Sequence, residues 1–268
     1  MTRRPLLLPV LLGLGYTFLY LPIAVLVVYS FNASRLVTVW GGLSTKWYAE
    51  LAHDQRFLDA AWLSLRVAVT SATGALVIGT LAAVALVRFG AFRGRGLFSA
   101  LVAAPLVMPE VIMGLALLLT FVALEQAVGW PHGRGFLTLV IAHVTLSTAY
   151  VAVVVRSRLS QMDRSLEEAA LDLGARPLKV FTAVTLPLMA PALAGGWLLA
   201  FTLSVDDVVV SQFVTGPGTT TLPIEVFSSV RLGVSPEINA LGSIIVAVVA
   251  VVILAAARLL AQGAKGRG

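Results

Sequence analysis

The sequence predicts an all-α membrane protein with six transmembrane helices, and three observations lead to that prediction. Hydrophobic residues make up 59% of the 268 residues, only 12% are charged, and long uncharged runs recur. Because bilayer hydrocarbon is about 30 Å thick, a spanning helix needs about 20 apolar residues. The runs are continuous rather than alternating, which favours helices over barrel strands. This composition excludes an organisation of one or two soluble domains.

All predicted spans belong to one transmembrane domain covering 1–268. We expect the spans at about 7–31, 58–87, 97–124, 136–156, 186–210 and 239–260, with a cytoplasmic loop at about 157–185. The first run is about twice as long as the apolar region of a signal peptide, so we expect an uncleaved span. The third run contains Pro105 and Pro109, which we expect to break it.

The positions of the basic residues predict the orientation, because Lys and Arg are retained in cytoplasmic loops. With the N-terminus inside, 13 of the 19 basic residues fall on the inner side and five in outer loops. The inner set is Arg3, Arg4, Arg88, Arg93, Arg95, Arg156, Arg158, Arg164, Arg176, Lys179, Arg258, Lys265 and Arg267. We therefore expect both termini in the cytoplasm. Basic loops also account for the net charge of +6 without nucleic acid as a partner.

A charged segment in the longest inner loop, EEAALDLGARPLKVFTAVTLPLMAP, begins at Glu167. Ser165 and Glu168 have the spacing of a capping box, which predicts a helix over about 166–173. Gly174 suits a left-handed stop, and Pro177 suits the first turn of a second helix. The segment thus predicts a helix, a glycine turn and a helix outside the bilayer, which we call the elbow.

The first elbow helix carries an apolar stripe, because Leu166, Ala169, Ala170 and Leu173 recur at helical spacing. A helix this short is marginal in isolation and must dock on a surface. That surface is either the chain's own bundle or a partner protein, and the residues leave both open.

The elbow resembles the loop of ABC-importer permeases whose pattern is EAA-x3-G-x9-I-x-LP. Here the pattern is Glu168-Ala169-Ala170, then Gly174, then Val184-Thr185-Leu186-Pro187, with Val in place of Ile. The resemblance implies a coupling helix seated on a cytoplasmic ATPase. The implied coupling residues are Glu168, Ala169, Ala170, Gly174, Arg176 and Pro187. The chain lacks G-x-x-x-x-G-K-[ST], so we expect it to be non-catalytic and without a cofactor of its own, with ATP and Mg bound by partner subunits.

Three carboxylates inside predicted spans are the first candidates for a cargo path, because ionisable residues within a membrane are costly and functional by default. Glu110 lies in the third span, and Asp206 and Asp207 lie late in the fifth. Unpaired carboxylates suit a cation. Adjacent helical residues point about 100° apart, so the two aspartates cannot both face one path, and one is expected to contact a partner subunit. The alternative is pairing with basic groups such as Arg66.

Aromatic residues of the first outer loop are further candidates, since aromatic faces attract ammonium groups. Trp47 and Tyr48 are assigned to the path, whereas Trp40 is assigned to interfacial anchoring. The three histidines are scattered without ligand spacing, and no metal site is assigned.

Strings spread over nearly the whole chain are similar to the permeases of spermidine and putrescine importers, and most of all to the second permease of the putrescine type. They include TVWGGLSTKWYAEL, APLVMPEVIMGL, GWLLAFTLSVDDVVVSQFVTGPG and VGWPHGRGFLTLVIAHVT. The resemblance implies a type I ABC-importer permease in the inner membrane that imports a polyamine. Glu110, a candidate for the cargo path, stands where the family usually has aspartate. It implies three kinds of protein partner: a second homologous permease, two ATP-binding subunits and an external polyamine-binding protein.

Two alternatives stay open beside the polyamine importer. The same fold could import another solute, such as an anion or ferric ion. A secondary transporter or channel would work without ATP, although the chain shows no convincing internal repeat. The residues themselves do not separate putrescine from spermidine as cargo.

Overall fold

Helices form nearly all of the regular structure in the computed structural model, which describes residues 7–36, 39–232 and 235–265. The helices are α1 (Leu7–Tyr29), α2 (Lys46–His53), α3 (Gln55–Arg88), α4 (Arg95–Val107), α5 (Glu110–Val128), α6 (Phe136–Gln161), α7 (Ser165–Asp172), α8 (Pro177–Val180), α9 (Leu186–Val205), α10 (Val209–Val214), α11 (Leu222–Leu232) and α12 (Pro236–Lys265). A π turn, Phe181–Thr185, joins α8 to α9. Within these ranges the only extended pairing is an isolated bridge, Asn32 to Leu43.

The predicted all-α class is confirmed. Five helical segments of the described residues are long and apolar enough to cross a membrane: Leu8–Tyr29, Gln55–Arg88, Glu110–Val128, Phe136–Gln161 and Pro177–Val205. Arg95–Val107 and Pro236–Val251 are shorter apolar helices. The sequence does not predict the short helices α2 and α11. Arg3, Arg4 and Arg267, which entered the charge count, lie outside the described residues.

The third predicted span is two helices, and only one of its prolines breaks it. Pro105 lies inside α4, which continues through it to Val107. Met108 leaves the helix with φ −77° and ψ 134°, and Glu110 begins α5. The residue before a proline is restricted to extended backbone, so Pro109 places the break at Met108.

The fifth predicted span, about 186–210, is also interrupted, which the hydrophobic pattern did not indicate. α9 ends at Val205, and α10 begins at Val209. The Asp207 carboxylate accepts hydrogen bonds from the backbone N–H groups of Val210 and Ser211, at 3.2 and 2.6 Å. Short acidic side chains compete in this way for backbone donors and cap a new helix. We call the residues 206–208 the outer break.

The chain divides into two compact units, residues 1–58 with 226–268, and residues 59–225. In the first unit, α12 packs against α1 and α2. A Cβ at Gly242 would lie 3.1 Å from the Leu26 side chain, so glycine allows α12 to approach α1 closely. Most apolar side chains of α1 remain exposed.

In the second unit, α6 packs most extensively on α9, and α5 on α10. The core of this unit is rich in small residues where α3 meets α6. Ala72, Ala75 and Ala83 are fully buried, and a Cβ at Gly79 would lie 2.8 Å from Val151. Small residues of this kind allow the close backbone approach by which helices associate in membranes. This unit holds both the elbow and the outer break.

Candidate functional site: the elbow and the outer break

The elbow has the predicted order of helix, glycine turn and helix, but the predicted capping box is wrong. Ser165 is already inside α7, whose N-cap is Arg164 without a side-chain cap bond. The acceptor at this end is Asp163, whose Oδ1 lies 2.9 Å from the Ser165 amide nitrogen. The Ser165 N–H, and then its hydroxyl, hold the pKa of the Asp163 carboxyl below its ordinary value. The side chain that accepts from the helix start therefore lies two residues before the predicted one.

The predicted stop and restart of the elbow are confirmed. Gly174 has φ +84°, a left-handed conformation that glycine adopts without the strain of a side chain. Its N–H donates to the Leu171 carbonyl at 2.8 Å, and the Ala175 N–H donates to the Ala170 carbonyl at 3.1 Å. Pro177 then occupies the first turn of α8, as predicted.

The six predicted coupling residues lie on or near the surface of the elbow. Glu168, Ala169, Gly174, Arg176 and Pro187 are exposed, and Ala170 is half-buried. The apolar stripe is open as well, with Leu166 49% and Leu173 89% exposed. Within its own unit, the described residues therefore leave most of this stripe uncovered.

The other glutamate of the pair, Glu167, points into the chain and was missed as a candidate. Its Oε2 lies 2.9 Å from Arg88 Nε at the end of α3, and its Oε1 accepts a hydrogen bond from the Thr185 hydroxyl at 2.8 Å. A cavity of about 490 Å³ adjoins this ion pair and is also lined by Glu168 and Arg164. The only sequence signal for such a pair is that the predicted cytoplasmic loops contain more arginines than acidic residues, so an acid there has basic partners available.

At the outer break, Asp207 is held by a buried polar network centred on His143 of α6. His143 Nδ1 lies 2.5 Å from Ser204 Oγ, and Nε2 lies 2.9 Å from Ser211 Oγ. His143 Nε2 also lies 3.4 Å from Asp207 Oδ2. Because Ser204 belongs to α9 and Ser211 to α10, the imidazole bridges the two sides of the break. A lone histidine in an apolar span was the signal for this network.

Asp206 and Glu110 differ from Asp207, since both are exposed. Asp206 is the C-cap of α9, and Glu110 is the first residue of α5. Across the described residues, neither carboxylate has a basic side chain within ion-pair distance. Arg66, the expected alternative partner, lies over the Phe136 ring at 4.9 Å. The expectation that both aspartates lie in one helix is corrected, because they occupy the turn between two helices.

Trp47 and Tyr48 belong to the first unit, whereas the three carboxylates belong to the second. Trp47 is 2% exposed, and its indole N–H donates to the Asn32 carbonyl at 2.6 Å. Lys46 Nζ lies 4.2 Å from the centre of its ring. The Tyr48 hydroxyl is hydrogen-bonded to Ser30 at 2.6 Å. These rings hold the segment after α1, and their assignment to the path stays a prediction.

Comparisons with known proteins agree on a transport fold. Residues 75–266 match the family described as "Binding-protein-dependent transport system inner membrane component". The chain is 60% identical to the Putrescine transport system permease protein PotI of Escherichia coli (strain K12), over 96% of this chain and 92% of that protein. It is 43% identical to the Spermidine/putrescine transport system permease protein PotC of the same strain, over 94% and 92%.

Solved structures show the same architecture at low sequence identity. A bacterial ABC transporter that imports the acidic polysaccharide alginate aligns with a TM-score of 0.71 at 20% identity, over 95% of this chain and 94% of that chain. An amino acid ABC transporter aligns with a TM-score of 0.53 at 22% identity, over 81% and 96%. The predicted type I ABC-importer permease fold is thereby confirmed.

Proposed function

Because the chain belongs to the family of binding-protein-dependent transport system inner membrane components, it is a multi-pass permease subunit, and we propose that its cargo is putrescine. As a permease subunit it is a non-catalytic component of an ABC importer of the inner membrane. Its similarity to both putrescine and spermidine/putrescine permeases supports a polyamine cargo. The higher identity with the putrescine permease favours putrescine over the longer spermidine.

The observation that carries the cargo proposal is the exposure of Glu110 and Asp206 at two breaks in apolar helices. Transporters commonly bind their cargo where a spanning helix is discontinuous. At about 4 Å and an effective dielectric constant near 20, an ammonium and a carboxylate attract by about 4 kcal/mol before desolvation is subtracted. Two such carboxylates would offset part of the dehydration of a diamine.

In this proposal, Asp207 acts on the path indirectly. Its carboxylate is occupied by two backbone N–H groups and lies beside His143. It therefore shapes the outer break and leaves Asp206 exposed. The assignment of Trp47 and Tyr48 to the cargo path also belongs to this proposal, with both side chains bonded to the segment that follows α1.

The complete importer is proposed to contain a second homologous permease, two ATP-binding subunits and an external polyamine-binding protein. The uncovered stripe of α7 supports a cytoplasmic partner, because a helix of eight residues is marginal unless it docks. The bias of basic residues supports cytoplasmic termini and a cytoplasmic elbow. ATP and Mg would be bound by the partner subunits, since the chain lacks a phosphate-loop motif.

The mechanism that follows is alternating access driven from the elbow. α7 seats on the ATPase, and closure of the ATPase pair on ATP displaces α7 and rocks the bundle. The cargo is released by the external binding protein to the carboxylates and then to the cytoplasmic side. No chemical step takes place on this chain.

Uptake by the reconstituted complex tests the proposal. Proteoliposomes containing both permeases and the ATPase are supplied with the loaded binding protein and with labelled putrescine, spermidine or choline. We expect ATP-dependent accumulation of putrescine, less of spermidine, and none of choline. Accumulation that survives omission of the ATPase would indicate a secondary transporter and overturn the proposal, as would preference for an anion or ferric ion.

A further inference from the structure

Glu167 lies where three elements of the second unit meet. Arg88 ends α3, and its Nε lies 2.9 Å from Glu167 Oε2, with Nη2 donating to Oε1 at 3.2 Å. The Thr185 hydroxyl donates to the same Oε1 at 2.8 Å. One carboxylate of α7 is thus bonded both to the end of α3 and to the residue that precedes α9. We call these three side chains the joint.

A second bond ties α7 to α3 beside the joint. Arg164, the N-cap of α7, donates from Nη2 to the Val87 carbonyl at 2.8 Å. Val87 is in the last turn of α3, where carbonyls lack partners within the helix and cations are favoured by the helix dipole. The two bonds together leave α7 little freedom to move apart from α3.

The joint is shielded from water, unlike most surface ion pairs. The side chains of Arg88 and Glu167 are 15% and 17% exposed, and Thr185 is buried. Exposed ion pairs contribute little, whereas losing one partner of a shielded pair leaves an uncompensated charge. Thr185 also ends the π turn, a rare geometry that is frequent at functional sites. The neighbouring Glu168 is exposed and free to meet a partner.

We propose that the Arg88–Glu167–Thr185 joint positions α7 and carries its displacement to α3 and α9. The proposal rests on the function proposed above, in which α7 docks on an ATPase. Motion passes between sites through contiguous packed and bonded groups. The chain connects α7 to α8 through residues 173–176, with Gly174 in the left-handed conformation, and the joint supplies a second connection. The two adjacent glutamates then have separate roles, Glu168 toward the partner and Glu167 toward the chain's own spans.

The test measures putrescine uptake and ATP hydrolysis in parallel in the reconstituted complex. Glu167→Gln preserves shape and an acceptor for Thr185 but removes the charge facing Arg88. Arg88→Gln removes the opposite charge, and Arg93→Gln is the matched control, because Arg93 is exposed and has no bonded partner among the described residues. Copurification with the ATPase subunits reports assembly.

We expect Glu167→Gln and Arg88→Gln to assemble and hydrolyse ATP, while putrescine transported per ATP falls about two- to thirty-fold. Arg93→Gln should keep the wild-type ratio. Exchanging the charges, with Arg88→Glu and Glu167→Arg in one chain, should restore part of the ratio. A wild-type ratio in both single variants would overturn the joint.

Two outcomes keep the joint distinct from the proposed function. If the wild-type complex shows no ATP-driven uptake, the proposed function fails; if it does and the variants match it, only the joint fails. Should Glu167→Gln or Arg88→Gln fail to accumulate in the membrane, Thr185→Val decides, because it removes only the hydrogen bond from Thr185 to Glu167 and leaves both charges in place. A lowered ratio supports the joint, and an unchanged ratio overturns it.

Discussion

The elbow and the outer break each contain two adjacent carboxylates, Glu167–Glu168 and Asp206–Asp207. In each pair one acid is held inside the chain and the other is exposed, but the order of the two is reversed. In the elbow the first acid is bonded inside the chain and the second is exposed. At the outer break the first is exposed and the second is buried. Neighbouring acids in sequence therefore have different surroundings, and the order of the pair does not indicate which one faces outward.

The two inward acids are held by different chemistry. Glu167 faces a guanidinium at 2.9 Å, whereas Asp207 is held by backbone N–H groups and lies 3.4 Å from an imidazole. A guanidinium suits the elbow, which lies outside the predicted spans and where the Arg88 side chain, although largely shielded, is still 15% exposed. Within an apolar bundle a permanent charge costs more, and fixed backbone dipoles stabilise the acid instead. The comparison predicts that the outward acids act on a partner or on the cargo, whereas the inward acids affect the chain's own structure or carry motion through it.

The largest effect is expected at the outward acid of the elbow. Glu168→Lys should reduce ATP-driven uptake to background while the chain still inserts, because it places a third cation beside Arg88 and Arg164 on the surface proposed to meet the ATPase. The measurement combines uptake with binding-protein-stimulated ATPase activity. Glu168→Gln, which keeps the size, is the milder control. ATPase activity that still responds to the loaded binding protein would contradict the coupling role.

Removing the inward acid of the outer break should have the next largest effect, on stability. Asp207→Ala leaves the Val210 and Ser211 N–H groups without their acceptor, whereas His143 keeps the Ser204 and Ser211 hydroxyls. Each unsatisfied buried group costs about 1–3 kcal/mol. We expect a loss of about 3 kcal/mol or more in the free energy of unfolding. Denaturant titration of the purified chain in detergent measures it. Asp206→Ala should stay within about 0.5 kcal/mol of wild type, and equal losses would refute the assignment.

The elbow shows what the sequence could predict and what it could not. Gly174 and Pro177 follow rules of local backbone geometry, so the end of α7 and the start of α8 can be predicted from the sequence. The cap was misplaced because Asp163 and Ser165 are both good caps, two residues apart, and only the fold selects between them. The bond from Arg88 to Glu167 joins residues 79 positions apart, which no local rule reports.

The outer break could not be predicted either, because it depends on contacts between distant residues. The apolar run resumes at Val208 directly after the two aspartates, so hydrophobicity alone predicts a single span. What ends the helix is competition for backbone donors by the Asp207 side chain, supported by His143 from another helix. Membrane spans depend on composition and can be predicted, whereas polar networks between spans depend on tertiary packing.

Glu110 and Asp206, the exposed acids at the two helix breaks, should affect cargo recognition, with a smaller effect than the two changes above. Glu110→Gln removes one carboxylate from the proposed path, and we expect the KM for putrescine to rise about tenfold, since desolvation offsets much of the direct attraction. Asp206→Asn should act similarly. Copurification of the ATPase should be unchanged in both, which separates recognition from assembly. Unchanged uptake kinetics in Glu110→Gln would remove this residue from the path.

The smallest effect distinguishes the backbone of the two regions. The elbow turns through Gly174 at φ +84°, whereas the outer break uses φ −96° at Asp206 and −107° at Val208, which any residue adopts. Gly174→Ala should therefore cost about 1 kcal/mol of local stability, and Gly174→Asn less, because asparagine tolerates the left-handed region. Hydrogen exchange of the α7 amides should quicken about fivefold for alanine, while α10 amides stay unchanged. Faster exchange in both regions would mean that they are not independent, and the separation drawn between elbow and outer break would be lost.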